Sequence, residues 1–308
     1  MGTEVPRLEG IFPPIPTPFD AGGDVDLAAL AENLGWWSRF DLAGIVVLGS
    51  NGEAVLLDEA EKLRLVETAR TATPEDRAVI AGTGLQSTRA TIALTRAVAA
   101  AGADFALVLP PSYYKGLMTD VVLERHFRAV ADASPIPVVL YNMPACTGID
   151  LSAELIADLA GHGNIVGLKD SSGSVAKLGR IYGEAGRDFR ILAGSAGFLL
   201  PALSVGAVGG VLALANIAPK ECTDIHRLFA EGDINTARET QIRMIAPNAA
   251  VTRRWGVPAL KAAMEMIGLR GGPVRPPLLA LDDAQRDELH SILIEARILE
   301  PKKKEATR

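Results

Sequence analysis

Short apolar runs of strand length recur eight times along this chain, and Ala/Leu/Arg/Glu-rich stretches with helical spacing lie between them. The runs are Gly10–Ile15, Gly44–Leu48, Ala78–Gly82, Asp104–Leu109, Pro137–Tyr141, Asn164–Lys169, Phe189–Gly194 and Gly206–Leu212. The first is the weakest strand, because Pro13 and Pro14 cannot donate to a ladder. Leu27–Arg39, Asp58–Thr71, Ser87–Ala101, Thr119–Ala133 and Ser152–Ala160 carry apolar residues three to four apart, and several open on the Ser, Thr or Asp expected of an N-cap. Strands too apolar to face water, alternating with helices, predict an α/β protein: a (β/α)8 TIM barrel, with a doubly wound open sheet as the alternative. After Ile217 the strand pattern stops. Helical spacing continues through Glu221–Glu231, Ile234–Ile245, Pro258–Ile267 and Asp282–Leu299. The expected organisation is a barrel over residues 1–224 and a C-terminal helical extension over residues 225–308, packed on the barrel because no Ser/Pro-rich linker separates them.

Composition narrows the class further. An apolar fraction of 48% with 30 glycines describes a well-buried soluble domain, and 308 residues suit a single barrel. A net charge of −6 argues against nucleic acid or an anionic membrane as the partner. The one basic run, Lys302-Lys303-Lys304, sits in a terminal tail and reads as a solvated segment. Cys146 and Cys222 are too few for a disulfide framework, which fits a reducing cytoplasm. The first ten residues have neither the pattern of a signal peptide nor that of a transit peptide, and no apolar run reaches spanning length.

In a barrel of this kind the reactive groups gather at the C-terminal ends of the strands. Those positions hold Gly49-Ser50-Asn51-Gly52-Glu53, Ser112-Tyr113-Tyr114, Tyr141-Asn142 and Lys169-Asp170-Ser171. Three of the chain's four tyrosines are among them, a concentration that packing alone does not predict. A lysine ending a strand buried on both faces sits where desolvation favours the neutral amine, a nucleophile toward carbonyls. The glycine-flanked Ser50-Asn51 turn offers backbone amides to a carboxylate. Other chemistries lack their residues. His126, His162, His226 and His290 are scattered, which disfavours a metal centre. Gly82-Thr83-Gly84 has Ser87 where a dinucleotide fingerprint needs its third glycine, and neither a Walker loop nor a GxSxG elbow is present. No cofactor is expected.

The motifs Gly49-Ser50-Asn51-Gly52-Glu53, Tyr141-Asn142-Met143-Pro144, Gly167-Leu168-Lys169-Asp170 and Leu192-Ala193-Gly194-Ser195-Ala196-Gly197-Phe198 resemble those of the dihydrodipicolinate synthase / N-acetylneuraminate lyase family. The likeness runs from about Gly10 to Pro277, and Pro247–Arg254 is closest to the 4-hydroxy-2-oxoglutarate aldolase branch. The resemblance implies a pyruvate-handling class I aldolase in which Lys169 forms the Schiff base and Tyr141 transfers protons. It also implies a relay from Ser50 and from Tyr113, the latter supplied across an interface in a homo-oligomer, a dimer of dimers. Ser50 and Asn51 are expected to hold the pyruvate-side carboxylate, with Asn51 and Ser171 near the distal one; Glu53 is expected to order its own loop.

One departure separates the branches. In the synthases an arginine follows the YNxP segment by two positions and binds the aldehyde's carboxylate; here that position is Cys146. A thiol cannot form the bidentate, charge-assisted pair of a guanidinium, a contact worth roughly 1.5–3 kcal/mol. The expected reaction is therefore cleavage of 4-hydroxy-2-oxoglutarate to pyruvate and glyoxylate. Dihydrodipicolinate synthesis, another pyruvate-dependent aldol reaction with a sugar acid or aromatic aldehyde, and a catalytically silent binding protein are the alternatives. Cys146 itself is expected to be a small buried filler.

Overall fold

The computed structural model of the protein describes residues 7–300, so the Lys302–Lys304 run lies outside the described residues. Eight parallel strands appear in the expected places: β1 Gly10–Phe12, β2 Gly44–Val47, β3 Ala78–Gly82, β4 Phe105–Val108, β5 Val138–Asn142, β6 Ile165–Asp170, β7 Arg190–Ala193 and β8 Gly209–Val211. The helices are α1 Leu27–Trp37, α2 Glu59–Ala72, α3 Thr88–Ala100, α4 Asp120–Ala133, α5 Pro144–Thr147, α6 Ala153–Ala160, α7 Val175–Ala185, α8 Leu199–Ser204, α9 Pro219–Ala230, α10 Ile234–Arg243, α11 Ile245–Ala249, α12 Gly256–Met266 and α13 Asp283–Glu295. Side chains of Asp26, Asp58, Ser87 and Ser152 cap α1, α2, α3 and α6, satisfying amides that a helix start leaves bare.

The strands run in the order β1-β8-β7-β6-β5-β4-β3-β2, every pair parallel. The seam between β1 and β2 is the thin one. Pro13 and Pro14 end β1 early, and three bonds close the barrel there: Ala43 N–H to Ile11 O (3.0 Å), Val46 N–H to Pro13 O (2.9 Å) and Ile15 N–H to Val46 O (2.9 Å). The prolines contribute only carbonyls, which is all their chemistry allows.

Two apolar clusters result. An inner one, including Leu8, Phe12, Val46, Ile80, Phe105, Leu107, Val139, Tyr141 and Leu192, fills the barrel. The larger outer one joins the strands' other faces to the helices and continues without a break into Leu260, Met264, Leu289 and Leu293 of the C-terminal helices. The 224/225 division falls inside α9, whose Cys222 and Ile225 are both fully buried. Among the described residues no helix is long and apolar enough to cross a membrane.

The later helices also grip the barrel mouth. Gln241 of α10 donates to Ala196 O (2.7 Å) and accepts from Leu200 N–H (3.0 Å). Asn248 of α11 donates to Ser195 Oγ (3.0 Å), so the loop after β7 is held by α10 and α11.

Candidate active site

Lys169 and Tyr141 lie side by side. They are register partners across β5 and β6, and Lys169 also pairs with Leu192 of β7. The amine rests 3.9 Å from the centroid of the Tyr141 ring. Both residues are buried, at 3% and 4% exposure.

A slip in the ladder decides that Lys169 points into the barrel. Val138 pairs with Ile165, but Val139 pairs with Gly167, so Val166 is an extra residue on β6. Ile165 belongs to the outer cluster, and strict alternation would send Lys169, four residues on, outward too. The bulge reverses the parity. Leu168 then faces the helices, while Gly167 and Lys169 face inward with Val139 and Tyr141. Gly167 carries no side chain at the point where Leu8 fills the barrel: a Cβ there would come within 3.0 Å of Leu8 Cδ2.

Ser50 Oγ stands 3.4 Å from the Tyr141 hydroxyl, longer than an ordinary O–H···O bond, and either oxygen can be the donor. Its turn is strained. Leu48 and Glu53 flank it with φ of 58° and 53°, a left-handed conformation unusual for such side chains. Close packing holds them there. Gly82 lets the Leu48 carbonyl approach, since a Cβ would sit 2.0 Å from that oxygen. Thr17 donates to Gly52 O (2.7 Å). Glu53 is buried, with an ion pair to Lys261 (2.6 Å) and a hydrogen bond donated to its carboxylate by the Arg275 backbone N–H (2.8 Å). Glu53 thus orders its loop, as expected from the sequence. The Gly52 and Glu53 amides close onto Gly49 O and Ser50 O (3.0 and 3.2 Å). The Ser50 and Asn51 amides open the 3-10 turn, where no intrahelical acceptor exists.

Behind Lys169 the chain presents a polar network that sequence reasoning left without a role. Asp170 faces away from the lysine and is fully buried. It accepts from Asn142 Nδ2 (2.8 Å), Ser172 N–H (2.9 Å) and Ser172 Oγ (2.6 Å), with Lys177 3.8 Å away. Asn142 also donates to Asp150 (2.7 Å) and accepts from Leu151 N–H (3.0 Å). Burial pushes Asp150 up, but Lys177 and Asn142 outweigh it and hold the carboxyl below its usual range. The Asn of the YNxP segment and the Asp after the lysine were the available signals: adjacent residues on paired strands alternate faces, so they meet behind the Tyr141–Lys169 pair.

The remaining expected residues are placed unevenly. Ser171 Oγ is buried without a hydrogen-bond partner, lying over Gly194, where a Cβ would sit 2.0 Å from it. Asn51 is half-buried in the turn beside Ser50. Tyr113 is not brought to the cluster. It is 78% exposed, edge-on to Tyr114 at 5.0 Å, with its amide and that of Ser112 both donating to Gln86 Oε1 at 2.8 Å. Cys146 corrects an expectation: it is exposed, not buried filler. It lies on the short helix α5, which continues from the end of β5 toward the mouth. Partial screening from water raises its thiol, and the Lys169 charge opposes that rise.

Fold and site together define a (β/α)8-barrel protein with an amine, a phenol and a hydroxyl converging at the C-terminal mouth. The chain belongs to the dihydrodipicolinate synthetase family, whose match spans residues 7–296, and members of this family are lyases. A probable mitochondrial 4-hydroxy-2-oxoglutarate aldolase of Emericella nidulans is 40% identical over 300 residues, covering 96% of this chain and 97% of the relative. A 4-hydroxy-tetrahydrodipicolinate synthase of Methanothrix thermoacetophila is 36% identical, covering 93% and 96%. Among solved structures, a dihydrodipicolinate synthase of Bacillus anthracis superposes with a TM-score of 0.90 at 30% identity, covering 94% of this chain and 98% of that one. YagE, a family member from E. coli K12 solved in complex with pyruvate, does so with 0.89 at 30% identity, covering 95% and 99%.

Proposed function

We propose that this chain is a class I aldolase that cleaves 4-hydroxy-2-oxoglutarate to pyruvate and glyoxylate. The observation that carries the reading is the buried Lys169 amine, which pairs with no carboxylate among the described residues and lies 3.9 Å from the Tyr141 ring centroid. No such carboxylate competes for that nitrogen, so it is free to meet a ketone carbon, to which the amine adds as a nucleophile. Lys169 Nζ attacks C2 of the substrate, and loss of water leaves a protonated imine. Tyr141 accepts the C4 hydroxyl proton. The C3–C4 bond breaks, its electrons passing to the iminium to give an enamine, and glyoxylate leaves. Protonation at C3 and hydrolysis of the imine release pyruvate and restore the amine. Ser50 hands protons to and from Tyr141, and the Ser50 and Asn51 amides hold the carboxylate beside C2. No step calls for a metal or organic cofactor, so EDTA leaves turnover unchanged.

Two observations favour this substrate over the synthase reaction: the 40% identity to the fungal aldolase and the thiol of Cys146 where the synthases carry an arginine. The methanogen synthase, at 36% identity, keeps the second reaction as the alternative. Pyruvate with borohydride is expected to leave one reduced adduct per chain, on the peptide holding Leu168-Lys169-Asp170. Cleavage of 4-hydroxy-2-oxoglutarate is expected to exceed condensation of pyruvate with aspartate semialdehyde by orders of magnitude in kcat/KM. An adduct elsewhere overturns the mechanism, and a faster synthase reaction overturns the substrate.

The same reading makes the active unit a homo-oligomer, a dimer of dimers, in which Tyr113 completes the partner's relay. Two adjacent exposed tyrosines, with Leu117 and Val121 also exposed nearby in sequence, suit an interface better than water. Lys169→Ala and Tyr113→Phe chains, each nearly inactive alone, should recover up to roughly half the activity per dimer when mixed into hybrids, as a two-fold shared site requires. Hybrids that recover nothing return Tyr113 to its own subunit.

A further inference from the structure

A substrate with a carboxylate at each end needs two anion contacts, and the Ser50-Asn51 turn supplies one. The other cannot come from Cys146. The cations around the mouth are mostly engaged. Lys177 bonds Asp150 at 2.5 Å, and Arg254 forms a two-pronged pair with Glu288 (2.6 and 2.7 Å) while stacking on Trp255. Arg253 is different. It is exposed and forms no ion pair or side-chain hydrogen bond among the described residues. It lies on a single π-helical turn, Ala250–Arg254, between α11 and α12. Such wide turns are costly in a helix and recur where side chains must be re-aimed.

The guanidinium reaches the loop that follows Lys169. A Cβ on Gly173 would stand 3.7 Å from Arg253 Nη2 and 3.9 Å from the Phe198 ring, so the Ser171-Ser172-Gly173 turn runs beside both. On that turn Ser171 has a buried hydroxyl with no partner. The π turn follows α11, which also bonds the loop after β7 through Asn248 and Ser195. The forked cation thus borders the same short loop after β6 that carries the unsatisfied Ser171 hydroxyl, which itself lies against Gly194 at the end of β7.

We propose that Arg253 is the binding residue for the distal carboxylate of a dicarboxylic 2-oxo acid, and so selects dicarboxylate over monocarboxylate substrates. This rests on the reading of the site given above. The planar guanidinium takes a carboxylate in two parallel hydrogen bonds, a role a thiol at position 146 cannot fill. Lys115 is the rival. Its amine lies 3.2 Å from where a Cβ on Gly148 would be, two residues past Cys146, but it is a point charge on the exposed tyrosine loop.

The test separates the anion contact from the chemistry. Binding of 2-oxoglutarate and of 2-oxopentanoate, the same chain length with a methyl in place of the distal carboxylate, is measured by calorimetry on wild type, Arg253→Met, Arg253→Lys and Lys115→Met. Wild type is expected to prefer 2-oxoglutarate. Arg253→Met should weaken 2-oxoglutarate about 10- to 100-fold, the worth of a charge-assisted contact, and 2-oxopentanoate less than about threefold. Arg253→Lys should recover part of the loss, and Lys115→Met should change neither acid. Equal losses on both acids, no loss in Arg253→Met, no wild-type preference, no binding of either acid, or a selective loss in Lys115→Met instead each overturns the proposal. Cleavage of 4-hydroxy-2-oxoglutarate is assayed in parallel. Selective binding through Arg253 without cleavage refutes the aldolase reading alone; cleavage that Arg253→Met leaves intact, with unchanged 2-oxoglutarate binding, refutes Arg253 alone.

Discussion

Lys169 and Lys261 are both buried, at 3% and 2% exposure, yet their surroundings are opposite. Lys261 has a full set of partners: the Glu53 carboxylate at 2.6 Å, Pro273 O at 2.7 Å and the Phe19 ring 4.4 Å from its amine. Burial lowers its pKa, and Glu53 opposes that shift. Lys169 has a ring face and no counter-ion among the described residues. A buried charge with its partners in place is a fastener; an amine without them is, on the function proposed above, the one left free to meet a substrate. The two are connected. Glu53, which satisfies Lys261, sits three residues from Ser50, so the fastener also sets the strained turn that faces Tyr141.

The largest expected effect tests the reactive member. Lys169→Met should lower turnover by at least about 10⁴-fold, since nothing else supplies the electron sink. Thermal stability should be unchanged or higher, because a methionine removes a poorly partnered polar group from a buried site. Lys261→Met should do the reverse. It strands Glu53 and should cost about 3–5 kcal/mol in chemical denaturation, while leaving kcat of the folded protein within about tenfold. Adding Glu53→Gln to that variant should return part of the stability. If Lys169→Met unfolds as readily as Lys261→Met, the distinction between the two lysines collapses.

Tyr141→Phe sharpens the reactive side. Loss of the phenol should lower kcat about 10²- to 10³-fold with KM nearly unchanged, as removal of a proton-transfer group does. A rise in KM alone would make Tyr141 a binding wall.

The smallest effects concern pH, measured as the denaturation midpoint across an acid series. Burial pushes His126 of α4 down to about 4 from 6.5. The unfolded chain therefore takes up its proton first, and the stability associated with a neutral His126 is complete above 6.5 and lost as pH falls through 4, about 3 kcal/mol in all. His126→Gln should flatten that limb. Below it, Arg275 holds Glu61 down to about 2, so its contribution, complete above 4.5, disappears as pH falls through 2. A wild-type curve flat from 7 to 4 would remove His126 from the account.

The sequence by itself determined much of this protein: eight strands, their order along the chain, the caps Asp58, Ser87 and Ser152 (though Thr119, which opens α4, makes no side-chain cap bond), and the set of residues at the strand ends. These follow from local chemistry, because apolar runs, N-caps and prolines act within a few residues of themselves. It was less legible where local preference is weak. Two glycines dilute the helical pattern of α7, and α8 has only six residues, so neither stood out. Tertiary structure alone decided which way the strand-end residues face and what they meet. Alternation read from Ile165 turns Lys169 outward, and only pairing with β5, with Val166 extruded, turns it in. Leu48 takes a left-handed conformation because Gly82, on another strand, leaves room for its carbonyl. Glu53 finds Lys261 more than two hundred positions away, and Arg253 reaches Gly173 across eighty. Cys146 came out exposed for the same reason: burial is a property of what packs on top, and one strand's sequence carries no record of its neighbours.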